Sequence, residues 1–296
     1  MNRIIRVGSR KSLLAMTQTK LIIEELKHHF PEYTYEIVEI TTTGDRIQDV
    51  KLDKIGGKGL FIKELEDAMA EGRIDFAVHS LKDMPAELEG DTKIVAISKR
   101  VNPMDVLVMP VGKKISDLRE DSIIGTSSIR RERQILKWRP KSKIKMLRGN
   151  VPTRIRKLDE GEYDAIVLAA AGLIRLGLSD RITYTFSESE MLPSVGQGAL
   201  AIEAPKNSPI LHMLEILNDR KTQLETEAER AFSKSLGGSC STPIGALAVL
   251  SGETIELKVM YGEQEKEGYK QMVKKCKVSQ RNEVAIEMAE QLRRLI

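Results

Sequence analysis

The chain has 296 residues, 41% hydrophobic and 30% charged, the balance of an ordinary soluble globular protein of two domains, or three. Its net charge of +4 is too small to suggest a nucleic-acid partner, and with aromatic residues at 4% and a single Trp there is little material for a base-stacking platform. Two distant cysteines, Cys240 and Cys276, support neither a disulfide framework nor a zinc site, so no metal is expected. Met1 to Ser12 lacks the apolar core of a signal peptide, and the longest apolar stretch, Ala165 to Ile174, is too short for a bilayer, so the expected location is the cytoplasm.

In chain order, Arg3 to Gly8 reads as a strand. A helix follows, with Leu13, Leu14, Leu21, Ile22 and Leu26 on one apolar face, and Pro31 ends it. Further strands are expected at Tyr35 to Thr42, Asp75 to Ser80 and Ile94 to Ile97, with a helix from about Leu60 to Glu71. This alternation points to βαβ units on a mostly parallel sheet. Thr43 to Lys58 is long for an α/β connection and is either a lid or a plain surface loop.

A second α/β region is expected after Asn102-Pro103. Its strands lie near Val106 to Met109, Ile123 to Gly125, Ile144 to Leu147 and Ala165 to Ala169, with helices after Ser128, Pro152 and Ala170. Ala199 to Glu203 is strand-like and can return to the first sheet. From about Lys221 a helix, strands at Ile244 to Leu250 and Thr254 to Met260, and a last amphipathic helix describe a small α+β domain. The domains are therefore placed at 1–98 with 199–217, at 103–193 and at 220–296.

Four places can carry chemistry. Gly125-Thr126-Ser127-Ser128 joins a strand to a helix, and Arg130, Arg131 and Arg133 fall in that helix's first turns. Cations there oppose the helix dipole, which suggests either an anionic ligand or a solvated basic face with partners elsewhere. Arg148-Gly149-Asn150-Val151-Pro152-Thr153-Arg154 repeats the strand-to-helix position, Arg175 follows the next strand, and Arg10 follows the first. Any one arginine is more often structural, but their recurrence beyond strand ends marks the crevice where open α/β sheets bind ligands. Arginine's planar fork suits carboxylate. His79-Ser80-Leu81-Lys82-Asp83-Met84-Pro85 leaves a strand with a carboxylate beside a lysine, suited either to acid–base work or to capping a turn. Cys240 sits among glycine and serine and is either reactive or an inert small residue, whereas Cys276 reads as packed in the strand Val273 to Val278.

Taken together and in order, these segments resemble the porphobilinogen deaminase family, also called hydroxymethylbilane synthases, over almost the whole chain. The motifs are Val7-Gly8-Ser9-Arg10, Gly59-Leu60-Phe61-Ile62-Lys63-Glu64-Leu65-Glu66, Ala77 to Pro85, Ile124 to Arg131, Arg148 to Arg154, Leu192-Pro193-Ser194-Val195-Gly196-Gln197-Gly198-Ala199, and the cysteine loop with Pro243-Ile244-Gly245. The resemblance implies two doubly wound, two-lobed domains like periplasmic binding proteins, plus the α+β domain. It implies a transferase of haem biosynthesis that condenses four porphobilinogen molecules head to tail, with loss of ammonia, into hydroxymethylbilane. The primer would be a dipyrromethane cofactor joined by a thioether to Cys240. The family more often reads Gly-Gly-Cys-Gln where this chain has Gly238-Ser239-Cys240-Ser241, which leaves the loop geometry open.

Carried over residue by residue, the resemblance makes Asp83 the catalytic carboxylate that stabilises an electron-poor azafulvene cation. Ser80, Lys82, Asp83, Thr126, Ser128, Arg130 and Arg131 would hold the cofactor, and Arg10, Ser12, Gln18, Arg148, Arg154 and Arg175 the substrate. It further implies a monomer without nucleic-acid or membrane partners, with product hand-over to uroporphyrinogen III synthase. The alternative from another class is a two-lobed anion receptor or a regulator's effector domain, which would have no use for a pyrrole tethered to Cys240.

Overall fold

The computed structural model describes residues 4–46, 62–88, 90–238, 242–263 and 268–296. β1 (Ile4–Arg10) leads into α1 (Leu13–His29). Ser12 caps α1, its hydroxyl accepting from the Ala15 N–H at 3.2 Å, and the helix stops at Phe30, just before Pro31. Then come β2 (Thr34–Ile40), the single turn α2 (Thr43–Arg46), α3 (Lys63–Ala70), β3 (Phe76–Ser80), a 3₁₀ turn at Leu81–Asp83 and β4 (Thr92–Ile97).

The chain continues through β5 (Asp105–Val108), β6 (Ile123–Gly125), α4 (Ile129–Trp138), β7 (Lys143–Lys145), α5 (Val151–Asp159), β8 (Ala165–Ala169), α6 (Ala170–Arg175) and β9 (Tyr184–Thr185). It ends with β10 (Leu200–Pro205), α7 (Leu211–Leu214), α8 (Arg220–Ser235), β11 (Ile244–Ser251), β12 (Thr254–Tyr261), β13 (Lys270–Lys277) and α9 (Arg281–Arg294).

Two compact units divide the chain, Met1–Val101 with Ala199–Gln223, and Asn102–Gly198 with Leu224–Ile296. The first contains a five-stranded sheet in the order β2-β1-β3-β10-β4, in which β1 runs parallel to β2 and β3 while β10 runs antiparallel to β3 and β4. The second unit's five-stranded sheet, β7-β6-β8-β5-β9, repeats the pattern with β5 as the antiparallel strand. Half the pairings are therefore antiparallel, where alternation of strand and helix predicts a mostly parallel sheet. The exceptions are one strand in each sheet, β10 in the first and β5 in the second, each antiparallel to both of its neighbours.

Both sheets are covered on two faces. Along β3, Phe76 and Val78 pack with Ile22 and Leu26 of α1, and the intervening Ala77 packs with Leu65 and Ala68 of α3. Along β8, Ile166 and Leu168 join Ile155 and Leu158 of α5, while Ala165 and Val167 join Ile135 of α4. Period-two alternation between two apolar layers explains why these strands read as continuous hydrophobic runs.

The second unit also holds an antiparallel meander, β11-β12-β13. Ala246, Ile255, Leu257 and Val259 form one core with Phe232 and Leu236, from α8 and its C-terminal end, and with Met288 and Leu292 of α9. Among the described residues no helix is long and apolar enough to cross a membrane, and no group of three His, Cys, Asp or Glu side chains could hold a metal ion.

Candidate functional site

In the first unit, the carboxyl ends of β1 and β3 and the start of α1 border an open pocket, about 440 Å³ including the solvent at its mouth. Arg10, Ser12, Gln18, Ile62, His79, Ser80 and Asp83 are among its lining residues. Gln18 is buried on α1 and bridges to β3, its side-chain N–H donating to the Ser80 hydroxyl at 3.0 Å. The turn that follows β3 is held by the Leu81 N–H, which donates to the Ala199 carbonyl at 3.0 Å. Asp83 is exposed on this turn, and among the described residues its carboxylate has no hydrogen-bond partner. Lys82 precedes it, half-buried. Five of the positions expected from sequence, Arg10, Ser12, Gln18, Ser80 and Asp83, thus meet in one pocket.

Two of the expected ligand hydroxyls are helix caps. Ser12 caps α1, and Ser128 caps α4 by accepting from the Arg131 N–H at 3.4 Å. Capping engages an oxygen lone pair and leaves the O–H free to donate. Thr126 is buried, and its hydroxyl accepts from the Ser128 N–H at 3.1 Å.

In the second unit Arg130 and Arg131 do not form a solvated basic face. Both are buried around Asp105, which is fully buried. Arg130 Nη1 donates to Asp105 Oδ2 at 2.7 Å and to the Leu192 carbonyl at 2.6 Å. Arg131 donates to Asp105 Oδ1 through Nε at 3.1 Å and Nη2 at 2.7 Å, and to the Val167 carbonyl at 3.1 Å. Gln197 donates to the same Oδ1 at 3.0 Å and to the Pro103 carbonyl at 2.7 Å.

Burial alone would push the Asp105 carboxyl up, but the two guanidinium groups hold it well below the usual carboxylate range. Burial lowers the Arg130 guanidinium from its ordinary value, and Asp105 offsets part of that. Two cations around one carboxylate leave the cluster with one excess positive charge. Arg133 faces elsewhere, donating to the backbone carbonyls of Gly268 and Glu263 between β12 and β13.

Arg175 ends α6 and donates to the Gly198 carbonyl at 2.7 Å, and burial pushes its guanidinium down to about 10. Among the described residues it has no acidic partner. Arg148 is half-buried, and no partner for its side chain is found among the described residues. Arg154 donates to the Gly149 carbonyl at 2.7 Å, which steadies the Gly-Asn turn ahead of α5.

Cys240 lies outside the described residues, as does the part of the Thr43 to Lys58 loop beyond α2. Thr43 itself is tied to Glu64 of α3 through its N–H at 2.6 Å and its hydroxyl at 2.5 Å. Cys276 is half-buried on β13, and burial pushes its thiol up, in keeping with an inert role. Asp105 was not legible as a site residue. It lies 25 positions before Arg130 and opens an otherwise apolar strand, so only the folded pairing reveals it. An acidic residue at the head of an apolar strand was the one available signal.

The chain matches the porphobilinogen deaminase, dipyromethane cofactor binding domain over residues 5–212, and the porphobilinogen deaminase, C-terminal domain over residues 223–294. It is 50% identical over 253 residues to the porphobilinogen deaminase of Brevibacillus brevis, covering 85% of this chain and 82% of that protein. It is 47% identical over 274 residues to the porphobilinogen deaminase of Geobacillus kaustophilus, covering 92% of this chain and 89% of that one. Among solved structures it is similar to the methionine binding protein MetQ, at 12% identity over 72% of this chain and 89% of that chain, with a TM-score of 0.47. The receptor and regulator alternatives give way to the two matched domains, and the chain belongs to the porphobilinogen deaminase family.

Proposed function

We propose a division of labour among this chain's residues in the family's reaction, the head-to-tail condensation of porphobilinogen into a linear tetrapyrrole with loss of ammonia. Asp83 is the carboxylate at the reacting centre, and the arginines anchor the acetate and propionate groups of the primer and the growing chain. The observation that carries this reading is the pocket that gathers Arg10, Ser12, Gln18 and Ser80 around an Asp83 with no partner of its own among the described residues.

A carboxylate there can accept pyrrole N–H bonds. It can also oppose the positive charge that develops as ammonia leaves, a stabilisation that is largest in the transition state. Arg10 supplies a cation on the same pocket wall. The O–H of Ser12 remains free to donate to a substrate carboxylate.

Each pyrrole unit brings two carboxylates, and a carboxylate taken out of water needs a donor or a cation. The second unit has donors of the right kind to hold a dipyrromethane. Arg175 is burdened by burial without an acidic partner among the described residues, Arg148 is half-buried, and the Arg130–Asp105–Arg131 cluster has positive charge in excess. Ser128, Thr126 and Lys82 complete the cofactor set, and Arg154 the substrate set. When bound through Cys240, the dipyrromethane supplies the terminal pyrrole carbon on which the chain grows. The three-domain division at 1–98 with 199–217, 103–193 and 220–296 belongs to the same reading. So does a cytoplasmic monomer that passes its product to uroporphyrinogen III synthase.

Intact-protein mass tests the assignment. The purified chain is expected to be heavier than its sequence by two linked pyrroles, Cys240→Ser to lose that mass, and Cys276→Ser to keep it. A fully active protein of unmodified mass would overturn the reading.

A further inference from the structure

His79, which lines the Asp83 pocket, forms a buried pair with Glu203 of β10, and the roles assigned above leave this pair unused. In the antiparallel register of β3 and β10, Ala201 lies opposite His79 and Ala77 opposite Glu203. The two side chains therefore stand diagonally on one face of the sheet, within reach of each other. Glu203 is fully buried and His79 is 6% exposed. His79 Nε2 approaches Glu203 Oε2 to 2.8 Å, and the Thr92 hydroxyl donates to Glu203 Oε1 at 2.6 Å. Among the described residues neither Nε2 nor Oε2 has any other partner.

A carboxylate with no exposure is expensive to keep, so a buried pair of this kind is weak support for stability alone. A carboxylate against one ring nitrogen does, however, fix an imidazole's orientation and its tautomer. His79 also lines the pocket and directly precedes Ser80, the residue that Gln18 holds. The turn bearing Asp83 begins at the next position and is tied to Ala199, which immediately precedes β10. The strand that supplies Glu203 is thus continuous with the anchor of the Asp83 turn.

We propose that Glu203 and His79 are positioning residues for Asp83. Glu203, braced by Thr92, fixes the imidazole, and the imidazole fixes the strand end from which Ser80 and Asp83 enter the pocket. The inference rests on Asp83 being the carboxylate at the reacting centre.

The test is a double-mutant cycle on the cofactor-loaded enzyme, with Glu203→Gln, Asp83→Asn and the two combined. Turnover, KM, melting temperature and cofactor mass are measured for each. Glu203→Gln keeps the shape of the side chain and should retain the cofactor. Its kcat should fall about 10- to 100-fold, the scale of a small misplacement at a reacting centre, with KM within about twofold of the parent.

The double variant should be no slower than Asp83→Asn alone, within about twofold, because a residue acting through Asp83 has nothing left to position. His79→Gln should reproduce the kcat loss, and it carries the comparison if Glu203→Gln does not fold. Losses that multiply in the double variant would overturn the proposal. So would a Glu203→Gln enzyme that melts lower yet turns over like the parent. Parental turnover in Asp83→Asn would instead remove the reading of Asp83 itself, and this inference with it.

Discussion

Replacing Asp105 with Asn removes the carboxylate shared by Arg130 and Arg131 while nearly preserving its shape. All three side chains are buried, so the variant leaves two guanidinium groups in the interior without their counter-charge. Breaking a buried pair by neutralising one partner costs about 3–5 kcal/mol. The lower end applies here, because the carbonyls of Leu192 and Val167 still accept from the arginines and the asparagine oxygen can still accept one bond. At about 2–4 °C per kcal/mol for a chain of this size, a loss near 3 kcal/mol lowers Tm by about 6–12 °C.

The same pair sets a pH signature. Folded Asp105 titrates well below the usual carboxylate range, so the folded state binds its proton more weakly than the unfolded chain does. Its contribution is therefore complete above an unfolded carboxyl value of about 4 and fades as the pH falls below that. Melts of parent and Asp105→Asn should differ by a constant interval from about pH 7 to 5 and converge in more acidic buffer. Far-UV circular dichroism reads the melts, and intact mass checks that both proteins carry the same cofactor load. A variant melting within about 2 °C of the parent at neutral pH, or an interval indifferent to acid, would refute the reasoning.

Asp83→Asn should lower kcat by about 10²–10³-fold with folding intact, and Asp83→Glu should retain more activity because it keeps the charge; equal losses in steady-state assays would count against an electrostatic role. Arg175→Leu and Arg148→Leu should each weaken porphobilinogen binding or elongation by about one to two decades, the worth of a charge-assisted hydrogen bond of about 1.5–3 kcal/mol. Unchanged kinetics in both would return these arginines to a structural role. Gly125→Ala would place a methyl 2.8 Å from Tyr163 Cδ1 and 2.9 Å from Ile166 Cγ2, so it should destabilise the second unit by about 1–3 kcal/mol in denaturant titrations. A neutral result would mean that Tyr163 yields at no cost.

Local pattern determined a great deal of this protein. Alternation and apolar runs place most strands within a residue or two, Pro31 and Ser12 bound α1, and Cys276 reads as a strand residue, because each of these depends on near neighbours in the chain. Ordered motifs likewise sufficed to identify the family, and Arg10, the arginine after the first strand, lines the same pocket as Asp83.

Only the tertiary structure decided how charge is shared. Arg130 and Arg131 read alike as a basic helix start, yet they surround Asp105, whose place opposite them depends on β5 entering its sheet antiparallel beside β8. Glu203 meets His79 only through the register of β10 on β3, 124 positions apart in the chain. Sequence periodicity records which face of an element is apolar. Which buried charge finds which partner is set by strand order and register, and these follow from packing the whole chain.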